Sequence, residues 1–220
     1  MRLALYVVPL LALAVFFLIR AELAQRTRQI YVLKPLATLL VIVVAFLSFA
    51  EPTYNFMYSV GVLIGLVLSL GGDVALMFSD RKAFMAGMVL FLLAHVAYTV
   101  TFTLLNGFKG PDVFTAFVLL IAGVGFYALI KRGVGAMKGP VLFYMLVISL
   151  MVNRAMSTLW APAFRDVQAW MIVAGAVLFY ISDIMLALNR FWKPWRYTRF
   201  SLAFYYAGQG LIALSASYFS

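Results

Sequence analysis

Apolar runs long enough to cross a bilayer recur along this 220-residue chain, at about 3–19, 36–50, 58–78, 84–105, 113–130, 140–159, 169–188 and 200–219. Lipid offers no partner for a bare N–H or C=O, so a run of roughly 20 apolar residues in it folds as a helix. The breaks carry turn chemistry: Glu51-Pro52, Ser79-Asp80, Asn106-Gly107, Gly110-Pro111, Gly139-Pro140, Ala161-Pro162 and Lys193-Pro194. The pattern predicts an all-α integral membrane protein of eight transmembrane helices, one polytopic domain over residues 1–220. With 66% hydrophobic and 11% charged residues, little is left for a separate soluble domain. The run at 3–19 reads as a first span rather than a cleaved signal, because its basic flank (Arg20, Arg26, Arg28) follows it.

The net charge of +10 lies beside the spans, where it sets topology and meets anionic headgroups. The partner it implies is the lipid bilayer, not nucleic acid. Arg20, Arg26, Arg28 and Lys34, then Arg81 and Lys82, then Lys131, Arg132 and Lys138, then Arg190, Lys193, Arg196 and Arg199 fall in alternate connections. Arg2, Lys109, Arg154 and Arg165 fall on the other side. The positive-inside rule places the first group in the cytoplasm and both termini outside, in a membrane of the bacterial cytoplasmic type.

Two carboxylates, Asp73 and Asp183, lie inside apolar runs. Each costs about 2.5–3.5 kcal/mol to insert at mid-membrane, so each marks a functional site. They are 110 positions apart, 73 to 183, and Gly65, Leu68 and Leu76 match Gly175, Leu178 and Leu186 at the same offset. This suggests two parallel four-helix repeats, 1–110 and 111–220; the competing explanation is coincidence between two apolar helices. Both acids are expected about 10 Å below the cytoplasmic end of their helices.

Other polar residues admit two readings each. Lys34, before Pro35, is a snorkelling lysine or a counter-charge for an acid or phosphate. His95 and Tyr98 share a face near mid-span, as interhelical hydrogen-bonding residues or as cavity lining. Asn189 and Arg190 end the seventh span, with Arg190 setting topology or binding a lipid phosphate. Gln209, beside Tyr205 and Tyr206, is helix glue or a substrate contact. Asn153 and Arg154 read as bundle glue or an interface marker. Trp160, Trp170, Trp192 and Trp195 read as interfacial anchors, and Glu22, Glu51, Asp80, Asp112 and Asp166 as solvated connection residues. With one His and no Cys, the ligand types of a metal centre are scarce; neither a metal nor a cofactor is expected.

Lys34-Pro35, Ser69-Leu70-Gly71-Gly72-Asp73, Ala86-Gly87 with Leu93-Ala94-His95, Tyr180-Ile181-Ser182-Asp183, Leu186-Ala187-Leu188-Asn189-Arg190-Phe191, and Tyr205-Tyr206 leading to Gln209 resemble the YhhN-like membrane family. The resemblance runs from about residue 30 to the C-terminus. It implies a lysoplasmalogenase, an ether-bond hydrolase that cleaves the vinyl ether of a lysophospholipid substrate into a fatty aldehyde and glycerophosphoethanolamine or glycerophosphocholine. Such chemistry needs a proton donor and a second carboxylate, roles that Asp73 and Asp183 fill if they converge, with Lys34, His95, Tyr98, Asn189, Arg190 and Gln209 around the substrate. Intramembrane acids on repeated spans suit a proton-coupled transporter of a lipid or small molecule as well, and acids used only as interhelical glue define a third class.

Overall fold

A computed structural model of the chain describes residues 2–195 and 199–219, so Arg196 of the topology reading lies outside the described residues. Among the described residues there are eight α-helices and no strand. They are α1 (Val8–Leu23), α2 (Thr27–Phe46), α3 (Phe56–Ala75), α4 (Arg81–Leu104), α5 (Gly110–Val134), α6 (Lys138–Ser157), α7 (Asp166–Phe191) and α8 (Ser201–Ser215). Six helical stretches among the described residues are long and apolar enough to cross a membrane. One of these, Gly110–Trp160, contains both α5 and α6, which fold back against each other after Gly135 takes a left-handed φ of 55°. The protein is a multi-pass membrane protein.

Capping fixes where several helices begin. Asn55 accepts from the Tyr58 N–H at 3.0 Å and Asp80 from the Ala83 N–H at 2.9 Å, while Pro9 and Pro111 occupy first turns where no N–H is needed. Helices α5 and α7 extend beyond their apolar runs by about a turn at each end, because first and last turns with charged residues are helical without being hydrophobic. The largest difference is α2: it begins at Thr27, so Lys34 and Pro35 lie well inside the helix instead of opening it. Pro35 removes the bond to the Tyr31 carbonyl, and the helix runs on through it.

Helix α3 packs most closely on α4 and α7 on α8. Small residues permit this approach. A methyl group at Gly65 would strike the Tyr98 ring, and one at Gly175 would lie 2.8 Å from the Gly208 carbonyl oxygen. Two further pairs, α1 with α2 and α5 with α6, flank these, and the first four helices join the last four where α2 packs on α8 and α4 on α6. The outer faces carry exposed Phe114, Phe117, Leu120 and Ile121, as a lipid-solvated surface requires.

Candidate active site

Asp73 lies in the last turn of α3, only 2% exposed. The helix ends two residues later at Ala75, so this acid is nearer its helix end than the expected 10 Å. The short connection to the Asp80 cap of α4 forces the early stop, and Gly71 and Gly72 weaken the last turn. Its Oδ2 accepts from Thr38 Oγ1 at 2.6 Å and from the Tyr205 hydroxyl at 2.8 Å, while Oδ1 stands 3.5 Å from Lys34 Nζ. Lys34, 7% exposed, is the counter-charge of the acid and does not snorkel. Thr38, one turn beyond Lys34 on the same face of α2, reaches the same carboxylate. Tyr206 donates to the Lys34 carbonyl at 3.0 Å and fixes this stretch of α2 against α8.

Asp183 has α7 continuing past it to Phe191, two further turns. Its Oδ2 accepts from the Tyr144 hydroxyl of α6 at 2.5 Å, and His95 Nε2 of α4 stands 3.8 Å from the same oxygen. The imidazole is held between the Phe179 ring, centroids 4.7 Å apart, and the Tyr144 ring at 5.4 Å.

These two constellations correspond position by position. Lys34 and Tyr144, Asp73 and Asp183, and His95 and Tyr205 each differ by 110 positions. The contacts cross over: Asp73 meets Lys34 from the preceding helix and Tyr205 from α8, while Asp183 meets Tyr144 from the preceding helix and His95 from α4.

Both acids line one polar cavity of about 590 Å³, together with Lys34, Ser182, Asn189, Arg190 and Tyr205. Glu22 and Arg199, an ion pair at 3.4 Å, also line it. The Arg190 guanidinium lies over the Phe84 ring, 4.7 Å from its centroid, and Asn189 Oδ1 accepts from the Trp195 N–H at 2.8 Å. At Asp183 the cavity meets a second space, an apolar slot of about 80 Å³ between α4, α5, α6 and α7. Asp183, Arg190, Phe84, Phe91, Leu76 and Leu186 belong to the walls of both. Polar room therefore gives way to apolar room at a carboxylate.

Of the residues singled out from the sequence, Lys34, Asn189 and Arg190 line the cavity beside the two acids. His95 does not line it and packs behind Asp183. Tyr98 and Gln209 are elsewhere, in the core between α3, α4 and α8. There the Tyr98 hydroxyl donates to Gln209 Oε1 at 2.7 Å, and Gln209 Nε2 donates to Ser69 Oγ at 2.9 Å. Thr38 and Tyr144 are not singled out by the sequence reading, although Thr38 is one turn from Lys34 and Tyr144 is offset from it by 110, and Tyr205 enters it only as a neighbour of Gln209.

Two acids expected to be solvated are buried. Glu22 faces Arg199, and Asp112 Oδ2 accepts from Arg154 Nη1 at 2.7 Å. The first turn of α5 folds over α6, and Asn106, Ser157 and the Gly107 carbonyl take other Arg154 protons. Arg154 and Asn153 thus secure the start of α5, away from the cavity. Among the described residues no three acidic or imidazole side chains cluster as a metal centre would need.

Lysoplasmalogenase TMEM86A of Bos taurus is 35% identical to this chain over 162 residues, which is 70% of this chain and 64% of the relative. Lysoplasmalogenase TMEM86A of Homo sapiens is 34% identical over 159 residues, with the same shares. The chain thus spans just under two thirds of the length of these relatives. No solved structure matches it. The YhhN family matches residues 29–216, a range that includes Lys34, Asp73, His95, Tyr144, Asp183 and Tyr205, and the chain belongs to that family.

Proposed function

We propose that this protein is a membrane hydrolase that cleaves the vinyl ether bond of lysoplasmalogens, releasing a fatty aldehyde and glycerophosphoethanolamine or glycerophosphocholine. The observation that carries the reading is the position of Asp183, where a polar cavity that also holds Asp73 meets an apolar slot. A lysoplasmalogen is itself divided in this way, with its vinyl ether joining a polar glycerophosphate to an aliphatic tail. A phosphate beside Arg190 or Lys34 and a tail in the slot bring that bond to Asp183. The name of the relatives agrees with this chemistry and sets the transporter reading aside.

In the proposed reaction Asp183 delivers its proton to the β-carbon of the enol ether, the carbon on the tail side. The double-bond electrons form the new C–H bond, and an oxocarbenium ion remains at the α-carbon. Water adds to that carbon and loses a proton to the site, which gives a hemiacetal. Transfer of a proton to the glycerol oxygen then breaks the C–O bond and leaves aldehyde and alcohol, one water consumed overall. Asp73 is the second carboxylate: it faces the developing cation from the polar side and orients the water. Tyr144 holds the Asp183 carboxyl in place, and Thr38, Tyr205 and Lys34 hold that of Asp73.

The scaffold of this reading is a duplication, with α1–α4 and α5–α8 as parallel halves, each crossing the membrane four times. Supporting it are the offset of 110 shared by both acids and their partners, and the matched packing of α3 on α4 and α7 on α8. The basic connections lie in the cytoplasm of a bacterial cell and both termini outside, so substrate arrives from the inner leaflet.

The deciding assay presents purified protein with a lysoplasmalogen and with an ester lysophospholipid, and measures aldehyde and fatty acid. Aldehyde from the first with no fatty acid from the second supports the reading. No aldehyde, or fatty acid from the ester, rejects it.

A further inference from the structure

Beyond the slot, a third space of about 440 Å³ opens between α5 and α6, lined by Leu119, Leu120, Gly123, Leu142, Leu146 and neighbours. Met145 borders both the slot and this groove. Helix α5 is fastened at its two ends. At one end the Asp112 carbonyl accepts from Asn153 Nδ2 at 2.8 Å and its carboxylate pairs with Arg154. At the other, Ile130 and Val134 are buried, and Gly133 leaves no room for a methyl group against the Phe191 carbonyl. Between these ends most of α5 faces outward and the groove separates it from α6.

We infer that the groove between α5 and α6 receives the far end of the substrate's aliphatic tail, and that Met145 sets how long a tail is accepted. This rests on the lipid-hydrolase reading. Continuity argues for that occupant. The polar cavity, the slot and the groove adjoin in series at shared wall residues, Asp183 and Arg190 at the first junction and Met145 at the second. From Val141, at the slot, to Asn153, at the end of the groove, α6 rises about 18 Å. That is the reach of an extended aliphatic chain, lying along the bilayer normal as a lipid tail does. The slot's 80 Å³ is small for aliphatic chain, which suits the single tail of a lysolipid better than two tails. Met145 is unbranched and adaptable, so it can swing between closing the passage and lining it. Gly123 faces it from α5: a methyl group there would lie 4.0 Å from Met145 Cε, so a larger side chain at 123 would fill the groove without entering the slot.

The test compares kcat/KM of wild type, Met145→Trp and Gly123→Leu on two lysoplasmalogens with the same headgroup, one with a long alkenyl chain and one of half that length. Each variant should lower the long-to-short ratio by about tenfold or more while turnover of the short chain persists, as pocket shape discriminates methylenes. An unchanged ratio in both variants overturns the inference, including the case in which both substrates fall together. A second arm keeps the result separate from the hydrolase reading. A non-hydrolysable ether lysolipid with a photoreactive group at its tail end is crosslinked to wild type and to Gly123→Leu in vesicles of diacyl lipid. Label on α5 and α6 that excess lysolipid displaces, and that Gly123→Leu loses, supports the tail path even if no aldehyde is ever released. Label that excess lysolipid leaves in place identifies the occupant as bulk bilayer lipid and overturns it.

Discussion

Asp73 and Asp183 occupy corresponding places in the chain, yet their surroundings have diverged. Asp73 is met by an ammonium and two hydroxyls, from Lys34, Thr38 and Tyr205. Asp183 is met by one hydroxyl, from Tyr144, with the His95 imidazole 3.8 Å away. The spaces differ in the same sense. Tyr31 and Lys34 line the polar cavity, whereas the residues 110 positions later, Val141 and Tyr144, line the apolar slot. Corresponding positions thus line a polar space on one side and an apolar space on the other, which the proposed reaction uses for headgroup and tail. A lysine and a tyrosine at corresponding positions, Lys34 and Tyr144, are part of what makes the surroundings of the two acids differ.

The largest effect is expected from Asp183→Asn. Losing the proton donor should lower aldehyde release by about 10³-fold or more. Because no permanent cation is paired with Asp183, the amide strands no charge, and thermal unfolding in detergent should stay close to wild type. Substantial residual turnover would remove Asp183 as the donor and dissolve the proposed division between the acids.

Asp73→Asn should act differently. It also suppresses aldehyde release, but it leaves the Lys34 ammonium buried without its partner, which should cost about 2–3 kcal/mol of stability, discounted for the adjoining cavity. The double variant Lys34→Met with Asp73→Asn removes both charges and should recover most of that stability with no recovery of activity. If Asp73→Asn unfolds no earlier than Asp183→Asn, the electrostatic contrast between the two sites is wrong.

Much of this arrangement was legible in the sequence. The eight helices were readable because lipid-facing residues must be apolar, and the two acids because a carboxylate inside such a run is costly. Gly65 and Gly175 share the offset of 110 set by the two acids, since both serve a close helix approach. The partners were legible only in part: Lys34 offered itself as a counter-charge, but not for which acid. Lys34 and Tyr144, and His95 and Tyr205, correspond in place but not in chemistry, so a search for matching letters passes over them. Nor could local sequence reveal that Tyr205 crosses to Asp73 while His95 crosses to Asp183, because that depends on α2 packing on α8 and α4 on α6. Tyr98 and Gln209 were legible as polar and buried, but only packing shows that they satisfy each other. The same holds for Asp112, whose burial depends on Arg154 arriving from another helix.

A smaller effect is expected from Tyr144→Phe. Among the described residues, the hydroxyl at 2.5 Å makes the one hydrogen bond that positions the Asp183 carboxyl. Losing it lets that group rotate out of line with the enol ether, which should lower kcat about tenfold with KM nearly unchanged. A rise in KM with kcat intact would mean that Tyr144 touches the lipid and does not orient the acid.

The smallest effect is expected from Tyr205→Phe, the matching removal at the other acid. Asp73 would lose one donor but keep Thr38 at 2.6 Å and Lys34 at 3.5 Å, so its carboxylate stays oriented. The ring would still pack edge-on against Phe91, Phe179 and Tyr206, which preserves the seat of α8. Aldehyde release should fall by only about threefold, less than in Tyr144→Phe, because a site with redundant donors tolerates the loss of one. The two phenylalanine variants measured side by side on one substrate give the ratio that matters. If Tyr205→Phe proves the more damaging, Asp73 depends on a single tyrosine as Asp183 does, and the lysine beside it adds charge without adding order.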